Sequence, residues 1–207
     1  MRLNTLRLRQ QLTVPLTKPG KYKGLAAQAA KIKVESEKRK FLKKFDEHLV
    51  TQELKDGPDA SFSYFLPDGN LFAFLGFYEG TDPAGDLRQY LETNVNFKPG
   101  AIGSPKVTRN RVTWAFQVET PTLQEVYDET EVHGDQSGKF TGSWVRLIEK
   151  GLDNFLFFVF TDFRSKGVDS KSGFGLQKKK AVRDYGSLKP TKYVSTLLTN
   201  FIKGVRG

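Results

Sequence analysis

Apolar residues recur at helical spacing near both ends of the chain. In the leading helix, predicted over residues 24–45, the apolar positions are Leu25, Ala29, Ile32, Phe41 and Phe45. The segment 35–40 between them is wholly polar, so this helix is expected to project from the core or to lie along a partner. After Pro190 a closing amphipathic helix ended by Gly204 is predicted, with apolar positions at Tyr193, Leu197, Leu198, Phe201 and Ile202.

Shorter apolar runs predict strands. Phe62–Leu66 and Leu71–Phe77 flank a Pro67–Asn70 turn signal, which favours a β-hairpin buried on both faces. Val112–Val118 alternates apolar and less apolar residues, as in a half-buried antiparallel strand. Phe155–Phe163 is the strongest strand signal, so it and the hairpin are expected to form the core, with Phe74 and Phe158 as large buried side chains.

Two short helices carry capping signals. Thr81-Asp82-Pro83 starts one that should run to about Leu91. Ser143 caps a second, Trp144–Lys150, which Gly151 stops.

The remaining segments predict irregular structure. Residues 1–23 contain Pro15 and a Lys18-Pro19-Gly20 turn signal. Residues 94–104 are expected to form a Gly/Pro loop, and 125–135 an acidic loop. The predicted fold is therefore α+β, a mainly antiparallel sheet flanked by an N-terminal and a C-terminal helix, with extended arms.

Composition narrows the class of protein. A chain of 207 residues with 38% apolar content can bury a core, and 17 Phe against 2 Trp predict that phenylalanine builds much of it. The absence of cysteine excludes disulfides and thiolate chemistry. No secretory signal and no run of about 18 apolar residues is present, so we expect a soluble protein kept in the cytosol, with no membrane contact.

Charge divides the chain into three blocks, which we take as domains. Residues 1–44, a basic arm and helix, hold 13 Lys/Arg and 2 Asp/Glu. The α+β core, residues 45–163, holds 9 Lys/Arg and 19 Asp/Glu. The closing block, residues 164–207, comprises a basic arm or hairpin and the last helix, and it holds 11 Lys/Arg and 2 Asp/Glu. Basic ends flank an acidic middle, so the ends are either solvated tails or contacts for nucleic acid or for the acidic middle of a neighbouring copy.

No catalytic, cofactor or metal motif is recognisable. Gly134–Lys139 has three residues between its glycines and is followed by Phe140, so it fails as a phosphate-binding loop. The acidic cluster at 128–135 matches no Ca²⁺ loop and is interpreted as a surface loop. His48 is explained as a cation at the end of the first helix. We therefore predict a protein that is not an enzyme and needs no cofactor.

Basic residues with interspersed apolar anchors are the candidate contacts. The arm at 164–180 is Gly/Ser-rich, and we expect it to be mobile in a free subunit and to become ordered against neighbours, with its apolar residues entering pockets. The candidate residues for assembly or nucleic-acid contact are Lys38, Arg39, Lys40, Lys43, Lys44, Lys166, Val168, Lys171, Phe174, Leu176, Lys178, Lys179, Lys180 and Arg183.

Three stretches carry a resemblance. They are Phe45–Leu54 leading into Gly69–Phe77, Gly142-Ser-Trp-Val-Arg-Leu-Ile-Glu-Lys-Gly151, and Lys189-Pro-Thr-Lys-Tyr193. Together they resemble virion structural proteins of tailed phages, and the order of elements is similar to neck, tail-completion and head–tail-joining proteins. The longer middle and the Gly/Lys-rich arm depart from the short neck proteins.

The resemblance implies a ring-forming homo-oligomer in the virion, assembled in the host cytoplasm. Its partners would be copies of itself and other proteins of the neck, capsid or tail, with possible non-specific contact with DNA. Two alternatives stay open: a nucleic-acid-binding accessory protein that uses the basic ends, and an enzyme whose site is not recognisable from sequence.

Overall fold

A computed structural model describes residues 4–12, 22–60, 63–66, 70–75, 77, 79–101, 104–108, 111–134, 140–151 and 189–206. The predicted strand at 155–163, the arm at 164–180 and the candidate contacts from Lys166 to Arg183 lie outside these ranges. The fold is α+β, as predicted, with an antiparallel sheet and helices near both ends.

The chain alternates short strands and helices. The strands are β1 (Asn4–Leu12), β2 (Asn96–Ala101), β3 (Lys106–Thr108), β4 (Arg111–Thr120), β5 (Glu131–Gly134) and β6 (Phe140–Ser143). The helices are α1 (Lys23–Asp46), α2 (Leu49–Asp56), α3 (Leu71–Phe74), α4 (Pro83–Asn94), α5 (Leu123–Glu129), α6 (Trp144–Lys150) and α7 (Val194–Arg206), with a 3₁₀ turn at Gly57–Asp59 after α2.

These elements form two compact units. Unit 1 comprises 1–44, 90–122 and 196–207, and unit 2 comprises 45–89 and 123–195. Each unit is assembled from segments that are distant in sequence, so the contiguous blocks of charge do not by themselves mark out the units.

Unit 1 is built around β4. The strand buries alternate side chains, as its sequence predicted: Val112, Trp114, Phe116 and Val118. β1 pairs antiparallel with β4 along the whole length of β1, from Asn4 opposite Thr120 to Leu12 opposite Val112. The prediction that residues 1–23 are irregular was therefore wrong over β1, because the partner of this strand lies about a hundred residues away and pairing adds backbone hydrogen bonds that local sequence does not reveal.

β2 was also missed, since 94–104 was predicted to be a loop. It pairs antiparallel with β4, but its register shifts between Lys98 and Ala101, where Pro99 and Gly100 lie. Proline has no N–H to give to a ladder and glycine weakens one, so both are tolerated where an edge strand bulges. β3 pairs with the start of β4, placing Thr108 opposite Arg111.

α1 and α7 pack together in unit 1. The rings of Phe41 and Phe201 lie 5.6 Å apart, and both residues are buried. α7 does not end at Gly204 but continues to Arg206. A Cβ at Gly204 would collide with the carboxyl group of Glu37. The glycine thus permits a close approach rather than stopping the helix.

Unit 2 has an aromatic core. Tyr193 stacks on Phe45 with 5.6 Å between ring centroids, Trp144 lies 6.3 Å from Tyr193, and Phe77 meets Trp144 edge-on at 5.9 Å. Phe72 extends the series at 5.4 Å from Phe77. Such tilted and stacked pairs add to the burial of large apolar surfaces.

The predicted hairpin at 61–77 is wrong where the structure describes it. Residues 63–66 form bends, and Leu71–Phe74 is a helical turn. Phe72 is buried, whereas Phe74, the predicted core residue, is only half-buried. A short apolar run is compatible with either a strand or a buried helix, and here polar contacts decide between them.

The capping predictions were confirmed in unit 2. The Ser143 hydroxyl accepts from the Arg146 N–H at the start of α6, and Gly151 ends that helix with φ at 74°. The Asp82 carboxyl accepts from the Gly85 N–H at the start of α4. The predicted acidic loop at 125–135 was wrong over its described part, which instead completes α5 and forms β5, paired with β6.

Candidate interaction surface

α1 presents two different lines of residues. Its buried line contains Ala26, Ala30, Val34, Phe41 and Phe45. The opposite line, which we call the outward face of α1, consists of Leu25, Ala29, Ile32, Ser36, Arg39 and Lys43. These residues alternate four- and three-residue steps, so they lie on one side of the helix.

Large apolar residues are exposed on this outward face. Leu25 retains 58% of its surface and Ile32 retains 61%, although the sequence analysis placed both in one apolar stripe with Phe41 and Phe45. The prediction merged two lines of apolar residues that are roughly opposite each other, because nine residues separate Ile32 from Phe41 and a helix turns through about 900° over that distance. A helical wheel of the sequence separates the two lines.

The predicted cationic contacts of α1 differ in their surroundings. Lys38 is directed to its own unit, where its ammonium group donates to the Val95 carbonyl at 2.9 Å. Lys40 pairs with Glu37 at 2.7 Å in a largely exposed ion pair. Arg39, Lys43 and Lys44 are exposed. The outward face therefore changes from apolar at its N-terminal end to cationic at its C-terminal end.

α2 shows the same order with the opposite charge. Leu49 is 43% exposed, and Gln52 and Asp56 follow at three and seven residues along the same side of the helix. Asp59, in the 3₁₀ turn that follows, is also exposed. We call Leu49, Gln52, Asp56 and Asp59 the α2 face. Sequence reasoning did not single out this set, although the Leu49–Asp56 spacing was a readable signal.

Charge is divided between the two units. The described residues of unit 1 include 15 Lys and Arg and 4 Asp and Glu, a net of +11. The described residues of unit 2 include 6 Lys and Arg and 13 Asp and Glu, a net charge of −7. The two units are therefore oppositely charged, although each is assembled from distant segments.

Two carboxyl groups in unit 2, of buried Glu53 and half-buried Glu149, accept hydrogen bonds from the backbone. One oxygen of Glu53 accepts from the Leu71 N–H at 2.7 Å, and the other accepts from the Tyr64 N–H at 3.1 Å. The Glu149 carboxyl accepts from the Ser195 N–H at 2.7 Å and from the Tyr127 hydroxyl at 2.9 Å. Burial and this bond to Glu149 raise the pKa of Tyr127 to about 12. These groups stabilise helix starts and loops, the ordinary use of buried acceptors.

His48 has a different role from the one predicted. It precedes α2, and its Nδ1 accepts from the Val50 N–H at 3.3 Å, so it is an N-cap rather than a cation at a helix C-terminus. Burial lowers the pKa of His48, and a hydrogen bond to the Lys192 backbone only partly offsets this effect. The neutral imidazole is the form that can accept at Nδ1.

An ion-pair cluster lies beside this cap. Asp46 is 2.8 Å from the Lys55 ammonium group and 3.0 Å from the Arg88 guanidinium group. Burial alone would raise the pKa of Asp46, but the hydrogen bonds and charges of Lys55 and Arg88 outweigh it and hold the pKa below the usual value. Lys55 is therefore ion-paired with Asp46 within unit 2, and Arg88 shares the same carboxylate.

Over the part of the chain that the structure describes, no group of three or more His, Asp or Glu side chains is placed to hold a metal ion. No helix in these ranges is long and apolar enough to cross a membrane. Comparisons with protein-family models, curated proteins and solved structures found no match to this chain.

Proposed function

We propose that this chain is a structural subunit of a tailed-phage particle, a ring-forming component of the neck, head–tail connection or tail-completion complex. It acts by binding through its surfaces rather than by catalysis. The resemblance of residues 45–77, 142–151 and 189–193 to virion structural proteins supports the class of protein. Its partners would be further copies and other virion proteins.

The observation that carries the proposal is the outward face of α1. Exposed Leu25 and Ile32 continue into the exposed cations Arg39 and Lys43 on one side of a 24-residue helix. Exposed apolar surface bordered by polar or charged residues is the arrangement that protein-contact sites use, with an apolar core and a polar rim. A ring requires two different surfaces on each subunit, and the oppositely charged units supply a basic and an acidic one.

The experiment is sedimentation velocity and negative-stain electron microscopy of the full chain over a range of protein concentrations. We expect closed rings of uniform size that form reversibly and without nucleic acid. A chain that stays monomeric at every concentration would contradict ring formation.

A nucleic-acid-binding accessory protein is the second candidate, favoured by the exposed Arg39, Lys43 and Lys44 near the end of α1. Cations that neutralise phosphates release counterions, so the affinity for a duplex would fall steeply and linearly on a log–log plot against salt. Titration with a short random duplex tests this. Tight binding of defined stoichiometry favours the accessory protein, whereas weak binding without defined stoichiometry is expected of the ring subunit.

A further inference from the structure

We propose that the outward face of α1 in one copy binds the α2 face of a neighbouring copy, with the two helices parallel. Ile32 would pack on Leu49, and Arg39 and Lys43 would meet Asp56 and Asp59. This inference rests on the proposed function, since it names the two surfaces that would join adjacent subunits of the ring.

The two faces match in their order of residues. On α1 the exposed apolar residue Ile32 precedes Arg39, and on α2 the exposed Leu49 precedes Asp56. Parallel helices therefore place Ile32 against Leu49 and, in the same arrangement, the Arg39 guanidinium group against the Asp56 carboxylate. An antiparallel arrangement would set Ile32 beside a carboxylate and Leu49 beside a guanidinium group.

The spacings along the two helices also agree. Ile32 to Arg39 and Leu49 to Asp56 are both seven residues, about 10 Å of helical rise. Lys43 lies about one further helical turn along the outward face of α1. Asp59 follows the end of α2, beyond Gly57, whose φ of 70° ends the helix.

Charge decides between a second copy and other occupants. Two α1 outward faces brought together would place cations beside one another if the helices were parallel, and cations beside exposed Leu25 and Ile32 if they were antiparallel. Nucleic acid could neutralise Arg39 and Lys43, but its phosphates offer nothing to Leu25 and Ile32, which are 58% and 61% exposed on the same line. The α2 face supplies both an apolar residue and carboxylates. Lys55, the cation on α2, is already paired with Asp46 at 2.8 Å.

Reciprocal charge reversal tests the proposal. The variant R39E/K43E has two acidic faces, and the variant D56K/D59K has two basic faces. Each alone should associate at least about tenfold more weakly than the wild type, because like charges at a contact cost several kcal/mol. An equimolar mixture should assemble again, since each variant then finds its complement in the other.

The control is K31E/K44E, which makes the same change in net charge at exposed positions of α1 away from the outward face. It should assemble like the wild type. Circular dichroism and thermal unfolding check that each variant is folded. If a charge-reversal variant does not fold, Ile32→Gln, a milder change at an exposed position, provides the readout and should also weaken association.

The outcomes separate this inference from the function on which it rests. Absence of self-association in the wild type overturns both. Wild-type rings, together with normal assembly of each variant or no recovery in the mixture, overturn only the pairing of these two faces. Loss of duplex binding by R39E/K43E with unchanged self-association would overturn the pairing and assign the outward face to nucleic acid.

Discussion

Glu53 is the most deeply buried acidic residue among those described, with 1% of its surface exposed. Its two oxygens bind backbone N–H groups on either side of a stretch that includes Leu66 and Asn70, and the Asn70 amide donates to the Pro58 carbonyl at 2.8 Å. A single carboxyl group thus fixes both the bends at 63–66 and the start of α3. The helical turn stands in place of the predicted strand, and the Glu53 side chain rather than a neighbouring strand satisfies these donors.

We predict that Glu53→Gln lowers the free energy of unfolding by about 1–3 kcal/mol. The amide cannot accept at both positions, so one buried backbone N–H loses its partner. Urea unfolding measures the change. Glu79→Gln, at an exposed site, is the matched control and should have little effect. Equal stability of the two variants would contradict the structural role of Glu53.

His48 provides a pH-dependent prediction. Its folded-state pKa is lowered, so the unfolded chain binds the proton more readily, and stability should fall as pH drops from about 6.5 through the folded-state pKa. Asparagine also caps helices but does not titrate, so His48→Asn should flatten this part of the stability profile. Comparison of the two profiles isolates His48 from the other histidine. A slope that is identical in both proteins would refute the prediction.

At the scale of elements, the strongest local signals gave correct helices. Ser143 caps the start of α6 and Gly151 marks its end, and Asp82 caps the start of α4. These signals were readable because a cap is formed by residues within a few positions of each other. The apolar runs were less decisive. Leu71–Phe77 contains both a buried residue, Phe72, and a half-buried one, Phe74, as expected for a short helical turn against a core.

This difference gives a paired prediction. Phe72→Ala should cost about 3–5 kcal/mol, the range for a large buried aromatic side chain, whereas Phe74→Ala should cost clearly less. Chemical denaturation of both variants measures the two losses. Equal losses of unfolding free energy would indicate that both phenylalanines are buried alike, as in a strand, and would contradict the helical turn α3.

At the scale of the whole molecule, the two compact units differ in the sign of their net charge, as the three blocks of the sequence do. Unit 1 gathers α1 with β4 and α7, and unit 2 gathers α2 with α6. Exposed carboxylates such as Asp56, Asp59 and Asp128 lie in unit 2, and exposed Arg39 lies in unit 1. Each copy therefore carries both partners of an electrostatic attraction.

Self-association should accordingly weaken with salt. Between 0.1 M and 1 M salt the screening length falls from about 10 Å to about 3 Å, which removes attraction between exposed charges but not the apolar contact of Ile32. We expect the association constant to fall by about tenfold or more over this range, measured by sedimentation velocity. Association that strengthens with salt would show that apolar contacts dominate.

The sequence alone determined the features that depend on neighbouring residues. It predicted α1, α4 and α6 and the alternation of β4, because helix caps and periodic burial arise within a few residues of the chain. It also predicted the α+β class, since that requires only the kinds of elements present.

Tertiary structure decided the features that depend on distant partners. β1 exists because β4, more than ninety residues later, pairs with it. Leu25 and Ile32 are exposed because the other line of α1, through Phe41, packs on α7. In its N-terminal half the helix carries apolar residues on both sides, and only the packed core selects which side is buried and which stays exposed.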